Sequence, residues 1–371
     1  MPKLMLVTPE RGGAPSGGRD MLAAVHCRCL EALLGEDLLV QRLDRGACRR
    51  PGWAANALRG YIDGVDAASI EAILAAIRRE QVDRVYLDGS NLGVVARAVK
   101  KEFPHTEILT FFHNVEARFF LGSLKRRKSL RAAAVLMANY VAERNAVRHS
   151  DRRIALSERD SRLLKRLYGR GASDILPLAM EDALDLAAPH QAPGGGENYA
   201  LFVGGAFYAN EAGIRWFAEK VAPAISIRTC VVGRGMERLR RELERHRNVE
   251  LVGAADRLTD WYLGAKVVIA PIFDGSGMKT KIAEALMFGK KIVGTSEAFA
   301  GYEDVAGEAG WVCDTKEGFV STLRMLENMP LPAFDPKLRS LYESRHSSGA
   351  ALRGLSHILG VAAETSQEGN G

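Results

Sequence analysis

The chain has 371 residues, of which 47% are hydrophobic and 26% charged, with a net charge of +6 and five cysteines. That is the make-up of a globular protein too long for one core, so two domains of roughly 150–200 residues are expected. It excludes a disordered chain and a disulfide scaffold, and no apolar run approaches the ~20 residues of a bilayer-spanning helix.

The first residues, Met1 to Thr8, are too short an apolar run for a signal peptide and fit a buried strand, which places the protein in the cytosol. A helix over 19–34 and a strand over 38–43 follow. Then come a helix near 67–79, a strand at 84–87, a helix at 92–100, and strands at 107–112, 153–156 and 174–178. Strands separated by helices of ten or more residues describe βαβ units and a parallel sheet covered on both faces. The stretch 181–198, with Pro189, Pro193 and Gly194-Gly195-Gly196, has no apolar period and fits an interdomain linker. The alternation then restarts: strand 199–203, helix 212–220, strand 227–232, helix 237–245, strand 249–252, helix 258–264, strand 266–271, helix 279–288, strand 291–294. The expected division is an N-terminal domain over 1–180, the linker, a second domain over 199–335, a helical segment over 336–363 returning to the first domain, and a frayed tail over 364–371. The expected fold is α/β, two Rossmann-like domains facing a central cleft, with ligands at the carboxyl ends of both sheets.

Cys27, Cys29, Cys48, Cys230 and Cys313 are odd in number and lack zinc spacing. Cys27 and Cys29 lie two apart on an expected helix, where their side chains diverge. All five read as reduced thiols.

Residues 266–286 read as strand, glycine-rich loop and helix. Such a junction presents backbone N–H groups and the positive end of a helix dipole, an anion site. Gly275 and Gly277 allow close backbone approach, while Lys279 and Lys281 put two cations at the helix start, where they oppose the dipole unless an anion is present. A diphosphate removes that conflict. Glu284 lies three residues beyond Lys281 on the same face, so a carboxylate acceptor suited to ribose hydroxyls sits one turn deeper. Taken alone, the same residues also describe a solvated Lys-Lys-Glu face.

Residues 199–302 resemble the donor domain of family 4 (group 1) glycosyltransferases, the retaining group with the GT-B fold. The matching pieces are Leu201-Phe202-Val203-Gly204-Gly205, Cys230-Val231-Val232-Gly233, Val249-Glu250-Leu251-Val252-Gly253, Gly275-Ser276-Gly277-Met278-Lys279-Thr280-Lys281 through Glu284-Ala285, and Gly289-Lys290-Lys291-Ile292-Val293-Gly294-Thr295. The first half matches through Gly17-Gly18 ahead of a helix and His113-Asn114-Val115-Glu116 at a strand end. The resemblance implies that Glu284 holds the nucleotide ribose and that Ser276, Gly277 and Met278 lie against sugar and phosphates. It implies too that Gly204 and Gly205 lie near the phosphates and Gly233 beside the base. Lys279 and Lys281 are the candidates for neutralising the diphosphate, and His113, Lys281 and Glu284 are the catalytic candidates. His113 would stabilise developing charge rather than act as nucleophile; a hydrogen-bonded structural histidine is the competing role. Asn114 and Glu116 would frame the acceptor. Gly17 and Gly18 would meet phosphate or acceptor from the opposite side, or simply form a turn.

The chain departs from the family pattern twice. Ser276 stands where many members have a sugar-facing glutamate, and Gly205-Ala206-Phe207-Tyr208-Ala209-Asn210 stands where many carry an Arg and a Lys. The implied reaction keeps the anomeric configuration, with the departing diphosphate taking the acceptor proton. No Asp-x-Asp pair occurs, and no cofactor or metal is expected beyond the nucleotide-sugar substrate.

Between Arg118 and Arg170, fifteen Lys or Arg stand against four Asp or Glu, a net +11 that leaves the remainder near −5. The part from Phe119 to Arg131 sets apolar residues beside Lys125-Arg126-Arg127-Lys128. It suits either an anionic membrane surface, which would place the protein peripherally at the inner face and give access to a glycan or lipid-linked acceptor, or a solvated basic helix. Nucleic acid is not expected, since no spaced aromatics or recognition motif accompany the charge. The alternatives are a GT-B nucleotide-sugar epimerase or phosphorylase, a non-catalytic GT-B scaffold, and an NAD-binding protein. The last fails at Arg238, where a third fingerprint glycine would stand.

Overall fold

The computed structural model describes residues 2–10, 17–44, 53–185 and 198–362. They divide into two compact units, Met1–Ala179 with Ser348–Gly371, and Met180–Ser347. Residues 186–197 of the expected linker, the tail over 364–371 and Cys48 lie outside the described residues.

The first unit runs β1 (Leu4–Pro9), α1 (Gly18–Leu34), β2 (Leu38–Leu43), α2 (Trp53–Ala57), α3 (Ala67–Glu80), β3 (Arg84–Leu87) and α4 (Gly93–Glu102). It continues with β4 (Glu107–Phe112), α5 (Glu116–Arg127), α6 (Leu130–His149), β5 (Arg152–Ala155), α7 (Glu158–Tyr168) and β6 (Asp174–Ile175). Its sheet has the order β2-β1-β3-β4-β5-β6, parallel throughout. Every residue of β1 is buried, as a strand covered on both faces requires. A capping box starts α3: the Ser69 N–H donates to Asp66 (2.8 Å) and the Asp66 N–H to Ser69 Oγ (2.9 Å).

Helix α6 was not expected from the sequence, and α5 only as one of two readings of the basic segment. The buried face of α6 is made chiefly of Ala138, Ala142, Ala146 and Val147, small residues that give a weak apolar period. Small residues are what this packing needs. A Cβ at Gly93 would lie 2.0 Å from the Ala142 carbonyl oxygen, so α4 meets α6 backbone to backbone.

The second unit runs β7 (Tyr199–Val203), α8 (Tyr208–Lys220), β8 (Thr229–Val232), α9 (Arg240–Leu243), β9 (Val249–Gly253), α10 (Leu258–Gly264) and β10 (Ala265–Ala270). It then adds α11 (Thr280–Met287), β11 (Ile292–Gly294), α12 (Ala306–Ala309), β12 (Gly310–Val312), α13 (Lys316–Asn328) and α14 (Pro336–Arg345). The sheet order is β12-β11-β10-β7-β8-β9, again all parallel. The helix expected over 237–245 is instead a 3-10 turn, Met236–Leu239, followed by the single turn α9. Here Glu237 accepts from the Ala254 N–H, which ties the segment to the end of β9.

The segment 336–363, read as one helical piece, is two helices. α14 belongs to the second unit, while α15 (Ser348–Leu359) belongs to the first and packs on α1. The last carbonyls of α15 are taken by side chains from the sheet: Arg84 donates to Leu359 O (2.7 Å) and Arg152 to Ile358 O.

Each sheet reverses its strand order once, at β1/β3 and at β7/β10. The carboxyl ends beside these reversals are where open α/β sheets receive ligands.

Candidate functional site

The β7/β10 reversal of the second unit is flanked by the two glycine loops singled out in the sequence. After β7, Gly204 and Gly205 lead into α8. A Cβ at Gly233, beyond β8, would fall 2.0 Å from the Gly204 carbonyl oxygen, so only glycine lets these two strand ends close. After β10, Gly275 (φ 147°) and Gly277 (φ 65°) shape the turn into α11. The Gly275 N–H is held by Asp274 at 2.8 Å. Ser276 Oγ is buried in this loop without a hydrogen-bond partner. Lys279 is the residue ahead of α11 rather than its first helical residue, and its side chain makes no capping hydrogen bond to the first turn.

Lys279 and Lys281 part company. Lys279 turns back, donating to Gly277 O (2.8 Å) and pairing with Glu297 (3.2 Å), while Tyr302 donates to its carbonyl (3.0 Å). Lys281 is buried, 6% exposed. Its Nζ donates to Asn210 Oδ1 on α8 at 2.9 Å and lies 4.2 Å from the centre of the Phe202 ring. Asn210 in turn donates to Gly205 O (3.0 Å), so Lys281 is tied to the β7 loop. Burial pulls its pKa down to about 7, against the attraction of Glu284. Burial pushes the Glu284 carboxyl up, opposed by the Tyr262 hydroxyl, which donates to Oε2 at 2.6 Å. Tyr262 is itself fixed by stacking on Phe288 at 4.7 Å. The glycine loop, the buried Lys281 side chain and the part-buried Glu284 carboxyl are thus brought to the same strand ends.

The first unit has its own polar cluster at the β1/β3/β4 ends. His113, just past β4, is buried, with Nε2 2.6 Å from Asp88 Oδ1. Asp88 follows β3, and its other oxygen accepts from Thr8 of β1 at 2.6 Å. Beneath lies His26, separated from His113 by the Phe111 ring and pushed down to about 3 by burial and by His113, hence neutral. Gly17 precedes α1 with φ 94°, a conformation glycine adopts freely, and Gly18 opens the helix. Arg19 follows and donates to Asn91 Oδ1 (2.9 Å) and Asp63 (3.4 Å).

Asn114 is half-exposed, whereas Glu116 is buried and its carboxyl is raised by burial. The backbone of Glu116 is anchored by Glu143 of α6. That carboxylate accepts from the N–H groups of Glu116 (2.8 Å) and Ala117 (3.1 Å), from Ser90 (3.1 Å) and from Tyr168 (2.7 Å), and burial pushes it up to about 7. It serves as the N-terminal cap that Val115 cannot supply to α5.

Sequence reasoning missed Asp88, Thr8, Glu143, Asn210 and Tyr262. Asp88 ends its strand as His113 does, so the strand-end rule that selected His113 would have found it.

Residues 197–328 match the family model described as "Glycosyl transferases group 1". No curated protein matches the chain in sequence. Among solved structures, sucrose-phosphate synthase from Thermosynechococcus elongatus shares 16% identity with a TM-score of 0.70, over 96% of this chain and 98% of that one. Anabaena HepE in complex with UDP shares 13% with a TM-score of 0.63, over 96% and 99%. The apo form of the lipopolysaccharide outer core galactosyltransferase WaaB shares 12% with a TM-score of 0.62, over 96% and 99%. At these identities what is shared is the fold, and that fold is GT-B.

Proposed function

We propose that the chain is a glycosyltransferase that moves a sugar from a nucleoside-diphosphate sugar to an acceptor hydroxyl with retention of configuration, in the manner of family 4. One observation carries the reading: within the matched segment 197–328, the Gly275–Gly277 loop, the uncapped start of α11, buried Lys281 and Tyr262-held Glu284 gather at the β7/β10 reversal. The HepE structures with UDP and UDP-glucose support it as fold relatives that take such a ligand.

The diphosphate rests on the N–H groups of Gly204, Gly205 and the loop from Ser276 to Lys279, with Lys281 supplying charge. Glu284 takes the ribose hydroxyls and Gly233 lies beside the base. The bond from the anomeric carbon to the diphosphate oxygen breaks while the acceptor oxygen bonds that carbon on the same face. The acceptor proton passes to the departing diphosphate. His113 stabilises charge at the transferred sugar, and Asn114, Glu116, Gly17 and Gly18 frame the acceptor. The two lysines and the helix end supply the positive charge that a divalent cation would otherwise bring to the diphosphate. Incubation with a panel of nucleotide sugars and glycan acceptors is expected to release nucleoside diphosphate, equally in EDTA, and to give a glycoside of unchanged anomeric configuration by proton NMR. An inverted product would overturn the retaining mechanism, and no turnover of any donor would favour the scaffold reading.

The acceptor is a glycan or lipid-linked glycan, as in polysaccharide or cell-envelope synthesis, reached at an anionic membrane. No helix among the described residues is long and apolar enough to cross one. The support is the α5–α6 hairpin. Leu121, Leu130, Val135 and Met137 are exposed there, Leu130 by 92%, beside exposed Lys125, Lys128 and Arg131. Each such cation is worth ~1 kcal/mol near an anionic surface. In vesicle flotation the protein is expected to rise with phosphatidylglycerol vesicles at low salt and to stay down after Lys128→Glu with Leu130→Ser. Failure of the unchanged protein to float would leave a solvated basic helix.

A further inference from the structure

Lys281 is oddly equipped for a lysine. Its Nζ is buried and, among the described residues, makes one hydrogen bond, to Asn210 Oδ1. An aromatic face, Phe202, covers it on another side. Among the described residues no carboxylate pairs with it: Glu284, one turn on, accepts from Tyr262, and Glu297 pairs with Lys279. A buried cation with unfilled donors is costly, and the cost falls when either a proton leaves or an anion arrives.

We propose that Lys281 is the proton-linked element of the donor site, taking up a proton from solution as a nucleoside diphosphate binds. The inference rests on the nucleotide-site reading above and adds to it the charge state of the site. The ligand brings acceptor oxygens and negative charge to the Gly204–Gly205 loop that Asn210 ties to Lys281. One proton from bulk solvent then converts the amine to an ammonium. The groups facing Nζ pull in both directions. On its own segment, Glu284 favours the charged form and Lys279 disfavours it; α8 presents Asn210 and β7 presents Phe202, neither of which titrates. Tyr262 and Tyr302 stay protonated, both pushed up by burial. Burial, the largest influence, brings the Lys281 pKa down to about 7.

The sign follows. Above about pH 7 the free amine must gain a proton before it pairs with phosphate, so affinity falls as pH rises, approaching tenfold per unit. Below that pH the ammonium is already present and uptake vanishes. Calorimetric titration with UDP, ADP and GDP at pH 8, in buffers of different ionisation enthalpy, reads the protons taken up directly. At pH 8 the second phosphate ionisation, near 6, is already complete and contributes little.

The diphosphate that binds is expected to draw in about 0.9 proton, and its affinity to fall roughly tenfold from pH 8 to 9. Lys281→Met, an unbranched apolar chain one atom shorter that can still lie against Phe202, is expected to fold, to bind at least tenfold more weakly at pH 7 and to take up none. Lys281→Arg, charged at every pH, should bind without uptake. Tight binding by the unchanged protein with no uptake would overturn the inference and leave the nucleotide site standing. Uptake that persists in Lys281→Met would assign the proton elsewhere and overturn it as well. No binding of any diphosphate would remove both readings together.

Discussion

A Glu284→Ala protein is expected to bind nucleoside diphosphate at least about tenfold more weakly than the unchanged chain. A hydrogen bond to a charged group contributes about 1.5–3 kcal/mol, and one carboxylate serves two ribose hydroxyls. The variant also leaves the buried Tyr262 hydroxyl without the partner it now reaches at 2.6 Å, so a moderate loss of melting temperature accompanies it. Tyr262→Phe separates the two effects. It keeps the carboxylate and the ring stacked on Phe288 but removes the donor that opposes the burial-raised pKa of Glu284. With Tyr262 gone, that pKa rises further, so a larger share of Glu284 is protonated as the pH falls. Relative to the unchanged protein at the same pH, binding by Tyr262→Phe should therefore be near normal at high pH and fall progressively behind as the pH is lowered. Calorimetry on both proteins at a series of pH values checks it. Unchanged affinity in a folded Glu284→Ala protein would deny Glu284 the ribose.

The second large effect is expected in turnover alone. His113→Ala should lower kcat roughly 100- to 1000-fold, the usual loss when a fixed charge-stabilising group is removed, with little change in nucleotide affinity. Asp88→Asn is the sharper test. The Asp88 carboxylate accepts from Thr8 and contacts His113, each at 2.6 Å. An asparagine can keep its oxygen towards His113 and its NH2 towards Thr8, whose hydroxyl can turn to accept. Geometry survives while the charge beside the imidazole is lost. A kcat at least tenfold lower at unchanged nucleotide affinity would make Asp88 the positioning residue for His113. Full activity would reduce the trio to a structural tie between the ends of β1, β3 and β4.

The alternation of short apolar runs with longer periodic segments made two parallel sheets legible in the sequence, because strands buried on both faces carry continuous apolar residues. Helix α6 escaped because alanines at its buried positions blur the period. Within the candidate site, the glycine loop and the Lys281–Glu284 spacing could be read locally. What each lysine does could not. Lys279 and Lys281 look equivalent, two apart, yet Lys279 stands in extended backbone ahead of α11 while Lys281 lies in its first turn. One lysine therefore meets Glu297 and the other Asn210, a residue 71 positions earlier on α8. Glu143 was hidden for the same reason. In a basic stretch it reads as a surface acid, and only the fold shows it buried under four donors.

The most direct test is the thermal stability of the unchanged protein against a panel of nucleoside diphosphates. A ligand at a hundred times its Kd adds about 2.7 kcal/mol, which for a unit of this size corresponds to a rise of about 5–10 °C. At least one diphosphate is expected to give such a rise, and the same ligand should give much less with Glu284→Ala. A melting temperature that no nucleoside diphosphate moves would contradict the assignment of Gly275 through Glu284 as a nucleotide site.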